Sequence, residues 1–176
     1  MTKETNIDEL YRWAYDDEAL LSEQDEDLLV VPLAGPEWYS VLIPLANDPR
    51  CPKADYILSC MDFATMFQTL RGDERYFNNQ EKAIELASKS SSQNVRDWAQ
   101  LLGRRIKYKR GCGPVDKELA LKMADDLLNG ISRNAEISIV SETEKEWTVR
   151  LSVQPLQQHQ EFLDIDKQTG LFRFRR

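Results

Sequence analysis

The sequence predicts an α+β fold, and three observations carry that expectation. A strongly amphipathic helix, Val115 to Ile131, runs into four short segments that alternate apolar and polar residues: Glu136 to Ser141, Glu146 to Gln154, Gln160 to Asp166 and Leu171 to Arg175. Alternation with a period of two marks half-buried strands, and four in succession with no helix between them make an antiparallel meander. The last pair is joined by Lys167-Gln168-Thr169-Gly170, a tight-turn sequence with glycine where the chain needs a left-handed residue. Upstream of this tail, apolar residues recur mostly at helical spacing.

Taken in order, Asn6 followed by Glu9 forms a capping-box pattern that opens a first helix, with Ile7, Leu10, Tyr11 and Ala14 on one face. The helix fades in the acidic run Glu23-Gln24-Asp25-Glu26-Asp27. Two apolar runs follow, Leu28 to Leu33 and Trp38 to Leu45, separated by Ala34-Gly35-Pro36-Glu37. Both carry β-branched or aromatic residues around a turn signal, which predicts a hairpin near 28–45, with Pro32 and Pro44 confining its strands to sheet edges. From about Ala54 to Tyr108 the chain is expected to be helical. Ile57, Cys60, Met61, Ala64 and Phe67 form one stripe, Gln80 to Lys89 a shorter helix ended by Ser90-Ser91-Ser92, and Val95, Trp98, Ala99, Leu102 and Ile106 another stripe. Paired helices of this kind suggest a helical repeat, but no fixed period recurs. Gly111-Cys112-Gly113-Pro114 then breaks the chain before the closing helix. The expected organisation is a mainly helical part, residues 1–112, and a helix-plus-meander part, residues 113–176, which could equally form one compact domain.

Length and the sixteen aromatic residues suffice for a packed core. The net charge of −7 is unevenly placed, because residues 1–30 hold ten Asp/Glu against Lys3 and Arg12, a local −8 that leaves about +1 for the rest. An acidic front on a neutral body argues against nonspecific nucleic-acid binding by the whole chain and fits a protein that meets basic partners. No signal-peptide pattern is visible at the N-terminus, and the apolar runs are far shorter than the ~20 residues of a membrane helix. Three cysteines make no disulfide framework, and a cytoplasmic location is expected.

Few residues offer chemistry. Asp164-Ile165-Asp166-Lys167-Gln168-Thr169-Gly170 superficially resembles a phosphotransferase aspartate motif and a calcium loop. The threonine and glycine spacing and the distal glutamate required for these are missing, so a hairpin turn is the better expectation. If Asp166 pairs with Leu171, Asp164 lies opposite Arg173 as a cross-strand ion pair. Cys51, Cys60, Cys112 and His159 are the possible soft metal ligands, yet the closest cysteines are nine positions apart, outside zinc-site spacing. No metal or cofactor is expected. An enzyme with a dispersed site would need several of these residues and carboxylates gathered in one pocket. Between residues 96 and 110, six basic residues face only Asp97. One account of Arg104, Arg105, Lys107, Tyr108, Lys109 and Arg110 is a phosphate-contacting helix end with Tyr108 free to stack. The other is a helix C-terminus that attracts cations to its dipole and pairs with the acidic N-terminal segment.

The helix Glu118-Leu119-Ala120-Leu121-Lys122-Met123-Ala124, the strand opening Glu146-Trp147-Thr148-Val149 and the Asp-x-x-Thr-Gly turn at 166–170 together resemble PepSY-type small domains and the cone-fold immunity proteins related to nuclear transport factor. The resemblance covers about 60 of 176 residues. It implies a non-enzymatic bacterial binder that neutralises a toxin or occupies an enzyme, with no site residue transferable, since such families recognise partners through variable surfaces. The leading expectation is therefore a protein-binding module of the immunity or inhibitor type, meeting a basic toxin domain through Glu23, Asp25, Glu26 and Asp27. The alternative is a nucleic-acid-associated protein using residues 104–110. The meander core is expected to be Trp147, Val149, Leu151 and Val153 facing Leu163, Ile165, Phe172 and Phe174, with Arg150, Asp164, Arg173 and Arg175 outward.

Overall fold

The computed structural model describes residues 7–16, 38–72, 74–128, 135–153 and 160–175. Among them run six helices and one sheet: α1 (Ile7–Ala14), α2 (Tyr39–Asn47), α3 (Ala54–Arg71), α4 (Glu74–Ala87), α5 (Gln93–Arg110), α6 (Lys117–Leu128), then β1 (Ala135–Glu142), β2 (Glu146–Val153), β3 (Gln160–Asp166) and β4 (Phe172–Arg175). The class is α+β, with a strand meander after the final helix. The acidic run Glu23 to Asp27, the apolar run Leu28 to Leu33 and His159 lie outside the described residues.

One expected strand is a helix instead. Trp38 to Leu45, assigned to a hairpin, folds as α2 with Pro44 inside it. Of its buried side chains, Tyr39, Leu42, Ile43 and Ala46 fall at helical spacing and Leu45 is buried beside them, and the helix packs on α3 and α4. A short apolar run does not separate strand from buried helix by composition, so β-branched and aromatic content misled here. Proline inside a helix costs one backbone hydrogen bond, which tertiary packing of the apolar stripe outweighs, and Pro44 itself is exposed.

The chain divides into two units, Met1–Leu102 and Gly103–Arg176, so the division falls inside α5. In the first unit, a thread of polar groups runs through the helical core. Gln80 has no exposed surface; its amide donates to the Thr65 carbonyl at 3.2 Å and to Gln68 Oε1 at 3.2 Å, and it accepts from Thr69 Oγ1 at 3.3 Å. Tyr39 Oη joins the same thread through Gln68 at 3.2 Å. Buried polar groups persist only when paired in this way, and here they tie α2, α3 and α4 together. Asn47, at the end of α2, accepts from Ser91 Oγ at 3.1 Å and from the Ser92 amide at 2.8 Å, so the serine cluster before α5 is held by a side chain from far upstream.

The second unit is the helix and meander that the alternation predicts. The sheet order is β1-β2-β3-β4, all antiparallel, with an irregularity between Ile139 and Ser141. Asp116 caps α6 by accepting from the Leu119 amide at 2.8 Å, so the helix starts after Pro114 and Val115 rather than with them. α6 packs on β1 and β2, and its Ala120, Met123, Ala124 and Leu127 are buried, as are Trp147, Val149, Leu163 and Ile165 of the sheet. Phe172 is only half-buried and Phe174 is exposed, against the expected core. β4 is a short edge strand and α6 lies over the other side of the meander, which leaves these rings partly uncovered.

The turn at 166–170 forms as expected, with Gly170 at φ +71 and the Asp166 amide donating to the Leu171 carbonyl at 2.9 Å. Asp166 Oδ1 gathers the Gln168 amide, the Thr169 amide and the Thr169 hydroxyl at 2.7–3.0 Å, an Asx turn that fixes the loop from inside. The loop before α6 then docks on this turn. The Gly113 amide donates to the Thr169 carbonyl at 3.0 Å and the Val115 amide to the Lys167 carbonyl at 2.8 Å, while Trp147 Nε1 donates to the Val115 carbonyl at 2.9 Å. A Cβ on Gly170 would lie 2.5 Å from Cys112 Sγ and 3.0 Å from the Gly113 carbonyl oxygen. Both the left-handed backbone and this contact penalise a side chain there. Gly170→Ala is therefore expected to cost about 2–4 kcal/mol, seen in urea denaturation, and an unchanged midpoint would show that the loop does not seat on the turn.

Candidate functional site

The basic helix end was one candidate; its six residues belong to the second unit, where Arg105 and Tyr108 are buried. Asp126 of α6 lies in the apolar stripe of its helix, one turn from Met123 and beside Leu127, and is buried. A charge in that position needs compensation. Arg104 supplies a two-point fork, Nε to Oδ2 at 2.7 Å and Nη2 to Oδ1 at 2.9 Å. Tyr108 Oη donates to Oδ2 at 2.8 Å, and Arg105 Nε donates to the Asp126 main-chain oxygen at 2.6 Å. Lys122, one turn earlier on α6, adds its ammonium at 3.9 Å. Burial pushes the Asp126 carboxyl up, but the hydrogen bonds from Arg104 and Tyr108 prevail and hold it below the usual carboxylate range. Burial and the bond to Asp126 in turn push the Tyr108 phenol up.

This geometry corrects the expectation of a phosphate-contacting helix end. Arg105 has no exposed surface and Tyr108 is 4 % exposed, so neither meets a phosphate or stacks on a base. Among the described residues the partner of Arg104, Arg105 and Tyr108 is Asp126; the acidic run expected to pair with the cluster lies outside them. Lys107 and Arg110 are exposed, and the Lys109 ammonium lies 5.2 Å from the Phe172 ring centroid. Sequence reasoning passed over Asp126 because it sits in an Asp125-Asp126 pair that looks solvated; the available signal was its place in the apolar stripe.

The outer face of the sheet is the second candidate. Asp164 lies opposite Arg173, as the turn register required, but it is 4 % exposed rather than on an open surface. Arg173 Nε reaches Asp164 Oδ2 at 3.2 Å, Arg175 binds both oxygens at 3.2 and 3.3 Å, and Thr148 Oγ1 donates to Oδ1 at 2.9 Å. Burial again opposes ionisation of Asp164, and Arg175, Thr148 and Arg173 overcome it. The Arg175 guanidinium also lies 5.1 Å from the Phe162 ring centroid.

In the first unit, the loop after α2 is tied to the end of α1. Buried Lys53 donates its ammonium to the main-chain oxygens of Trp13, at 2.8 Å, and Asp16. Cations favour helix C-termini, and this one also sits 5.1 Å from the Trp13 ring centroid. Cys51 Sγ donates to the Ala14 carbonyl at 3.4 Å, and burial pushes its thiol up, away from the reactive thiolate. Asp48 takes Arg50 as a fork at 3.0 and 2.9 Å and the Tyr15 hydroxyl at 2.7 Å, which raises the Tyr15 phenol to about 12. Beside this loop lies an open cleft of about 420 Å³ lined by Asn47, Asp48, Cys51, Asp55, Ser91 and Ser92. Its Ser91 hydroxyl donates to the Asn47 amide oxygen, which is no base.

Cys51 and Cys60 belong to the first unit and Cys112 to the second, where its sulfur lies 3.9 Å from Met123 Sδ. No group of three or more His, Cys, Asp or Glu side chains that could hold a metal occurs among the described residues. No helix among them is long and apolar enough to cross a membrane. No family model matches this chain, and no curated protein or solved structure matches it significantly.

Asp126→Asn keeps the volume but removes the charge that Arg104 and Tyr108 answer, so a loss of about 2–3 kcal/mol is expected in denaturant titration. The native carboxyl ionises below its unfolded value, so the unfolded chain takes up the proton first as pH falls. The Asp126 contribution is complete above about pH 4 and disappears in more acid solution. The gap between wild type and Asp126→Asn should therefore narrow below that pH; a constant gap would mean that the charge is immaterial.

Proposed function

We propose that this chain is a protein-binding module of the immunity or inhibitor kind, which acts by occupying a basic partner rather than by catalysis. The observation that carries the reading is the charge distribution: ten Asp/Glu against two cations in residues 1–30, with Glu23, Asp25, Glu26 and Asp27 clustered within five positions. A concentrated acidic segment speeds encounter with a basic surface and selects against acidic ones. The helix-plus-meander tail supports the reading through its resemblance to PepSY-type and cone-fold immunity domains. The bonds made by Arg104, Arg105 and Tyr108 within the second unit weigh against the nucleic-acid alternative, because those groups are committed to Asp126.

The test is co-expression of the full chain with the product of the adjoining gene. The reading expects a complex that survives moderate salt, dissociates at high salt and weakens at least about tenfold when Glu23, Asp25, Glu26 and Asp27 are replaced by their amides. Recovery of the chain alone, or a complex indifferent to those four substitutions, would sink it.

A further inference from the structure

In the first unit, α3 is apolar on two sides. One side is core: Ile57, Met61, Thr65, Met66 and Thr69 are buried, and Thr65 and Thr69 bond Gln80 of α4 from it. The other side carries Tyr56, Cys60, Phe63, Phe67 and Leu70, at successive spacings of four, three, four and three. That is the heptad rhythm of a seam that receives another helix, because a repeat of 3.5 residues keeps one stripe facing one partner along its length. With a rise of 1.5 Å per residue, the seam from 56 to 70 runs about 21 Å.

Trp13 of α1 meets Tyr56 edge-on, ring centroids 6.3 Å apart, at the N-terminal end of this seam. Further along, Phe63 is 50 % and Phe67 43 % exposed, their rings set edge to face with centroids 4.7 Å apart. Cys60 and Leu70 beside them are half-buried. Two exposed phenylalanine rings in contact make a continuous apolar patch, unlike the scattered single residues of an ordinary surface. Ser59 and Ala64 border the seam and are small enough for two helix backbones to approach, and Arg71 stands at its C-terminal end.

We infer that this seam is the docking site for a basic amphipathic helix of a partner protein, whose apolar stripe lies along Phe63 and Phe67. The heptad spacing selects a helix, since a strand repeats its side chains every second residue and cannot follow a period of 3.5. Charge selects which helix. α3 carries Asp55 and Asp62 against Arg71, and its unit carries nineteen Asp/Glu against nine Lys/Arg, net −10. A second copy of the chain would bring the same excess to the seam and be repelled, whereas a helix with Lys and Arg around its stripe is drawn to it. The inference rests on the reading above for the sign of the partner's charge, and adds where on the first unit that partner sits and in what form.

The test is fluorescence anisotropy at about 0.15 M salt, with the full chain and a labelled three-heptad peptide that has Leu at the a and d positions and Lys elsewhere. Saturable binding is expected, weakened at least about tenfold by Phe63→Ser with Phe67→Ser and unchanged by Phe174→Ser in the second unit. A peptide with the same leucines and Glu in place of Lys should bind at least about tenfold more weakly. In the wild-type chain the ring resonances of Phe63 and Phe67 should shift on titration, a readout that needs no variant to fold. No binding of the Lys peptide, binding indifferent to the two phenylalanines, or equal binding of the Glu peptide overturns the inference. So does a Phe63-dependent dimer in sedimentation, or peptide binding that tightens when the apolar residues of 28–33 are replaced by serine, since the seam would then belong to a second copy or to the chain itself. An inert seam beside a co-expressed complex that the amide substitutions at 23–27 weaken overturns this site and spares the proposed function. A seam that binds the Lys peptide while those substitutions leave the complex unchanged does the reverse.

Discussion

A carboxylate set in the apolar stripe of a helix must find both charge and hydrogen bonds, and Asp126 finds them on the last two turns of α5. Arg104 holds the carboxylate at two points, Tyr108 at a third, and Arg105 reaches past it to the main chain. Each of these bonds specifies distance and orientation, whereas apolar contact alone tolerates sliding. The end of α5 and the length of α6 are therefore held in one arrangement. Removing either charge would strand the other, so the cluster acts as a unit.

The second constraint is the Asx turn at 166–170. It sets the register of β3 and β4, and through register it decides which side chains share a face. Its outer carbonyls then accept the amides of the Gly111–Val115 loop, so the same five residues also fix where α6 begins. Glycine at 170 is required twice over, by its positive φ and by the closeness of Cys112 and Gly113. A turn that resembles a ligand loop in sequence is thus a structural joint.

Charge is where the two units differ most. The first has a net charge of −10, more negative than the −7 of the whole chain, and the second is mildly basic at +3. Within the second unit the basic residues divide again: Arg104 and Arg105 of α5 bond to Asp126 while Lys107 and Arg110 stay exposed, and Arg173 and Arg175 of β4 stand on the sheet surface beside Asp164. Arginine in both places exploits its fork, in one case to close a core and in the other to leave donors available. The first unit uses a buried lysine differently, as a cap on the carbonyls that end α1.

Alternation and turn chemistry alone determined the meander. The strand limits at 146, 160 and 166, the left-handed Gly170 and the pairing of Asp164 with Arg173 were all readable, because a period of two and a tight turn are local properties. That residues 54 to 110 are mainly helical was legible for the same reason, and the stripe from Val95 to Ile106 is buried, but Phe67 of the first expected stripe is exposed and Thr65, Met66 and Thr69 are buried instead. The apolar run at 38–45 was not, since its conformation is set by what packs around it rather than by its own residues. Equally hidden was the fate of the basic cluster: sequence shows six cations between 96 and 110, but only the fold brings Asp126 against two of them, Arg104 and Arg105. Partners joined by hydrogen bonds over 18 to 22 positions leave no periodic trace. Local geometry therefore fixed the scaffold, and long-range compensation of buried charge decided which of its charged groups remain available at the surface.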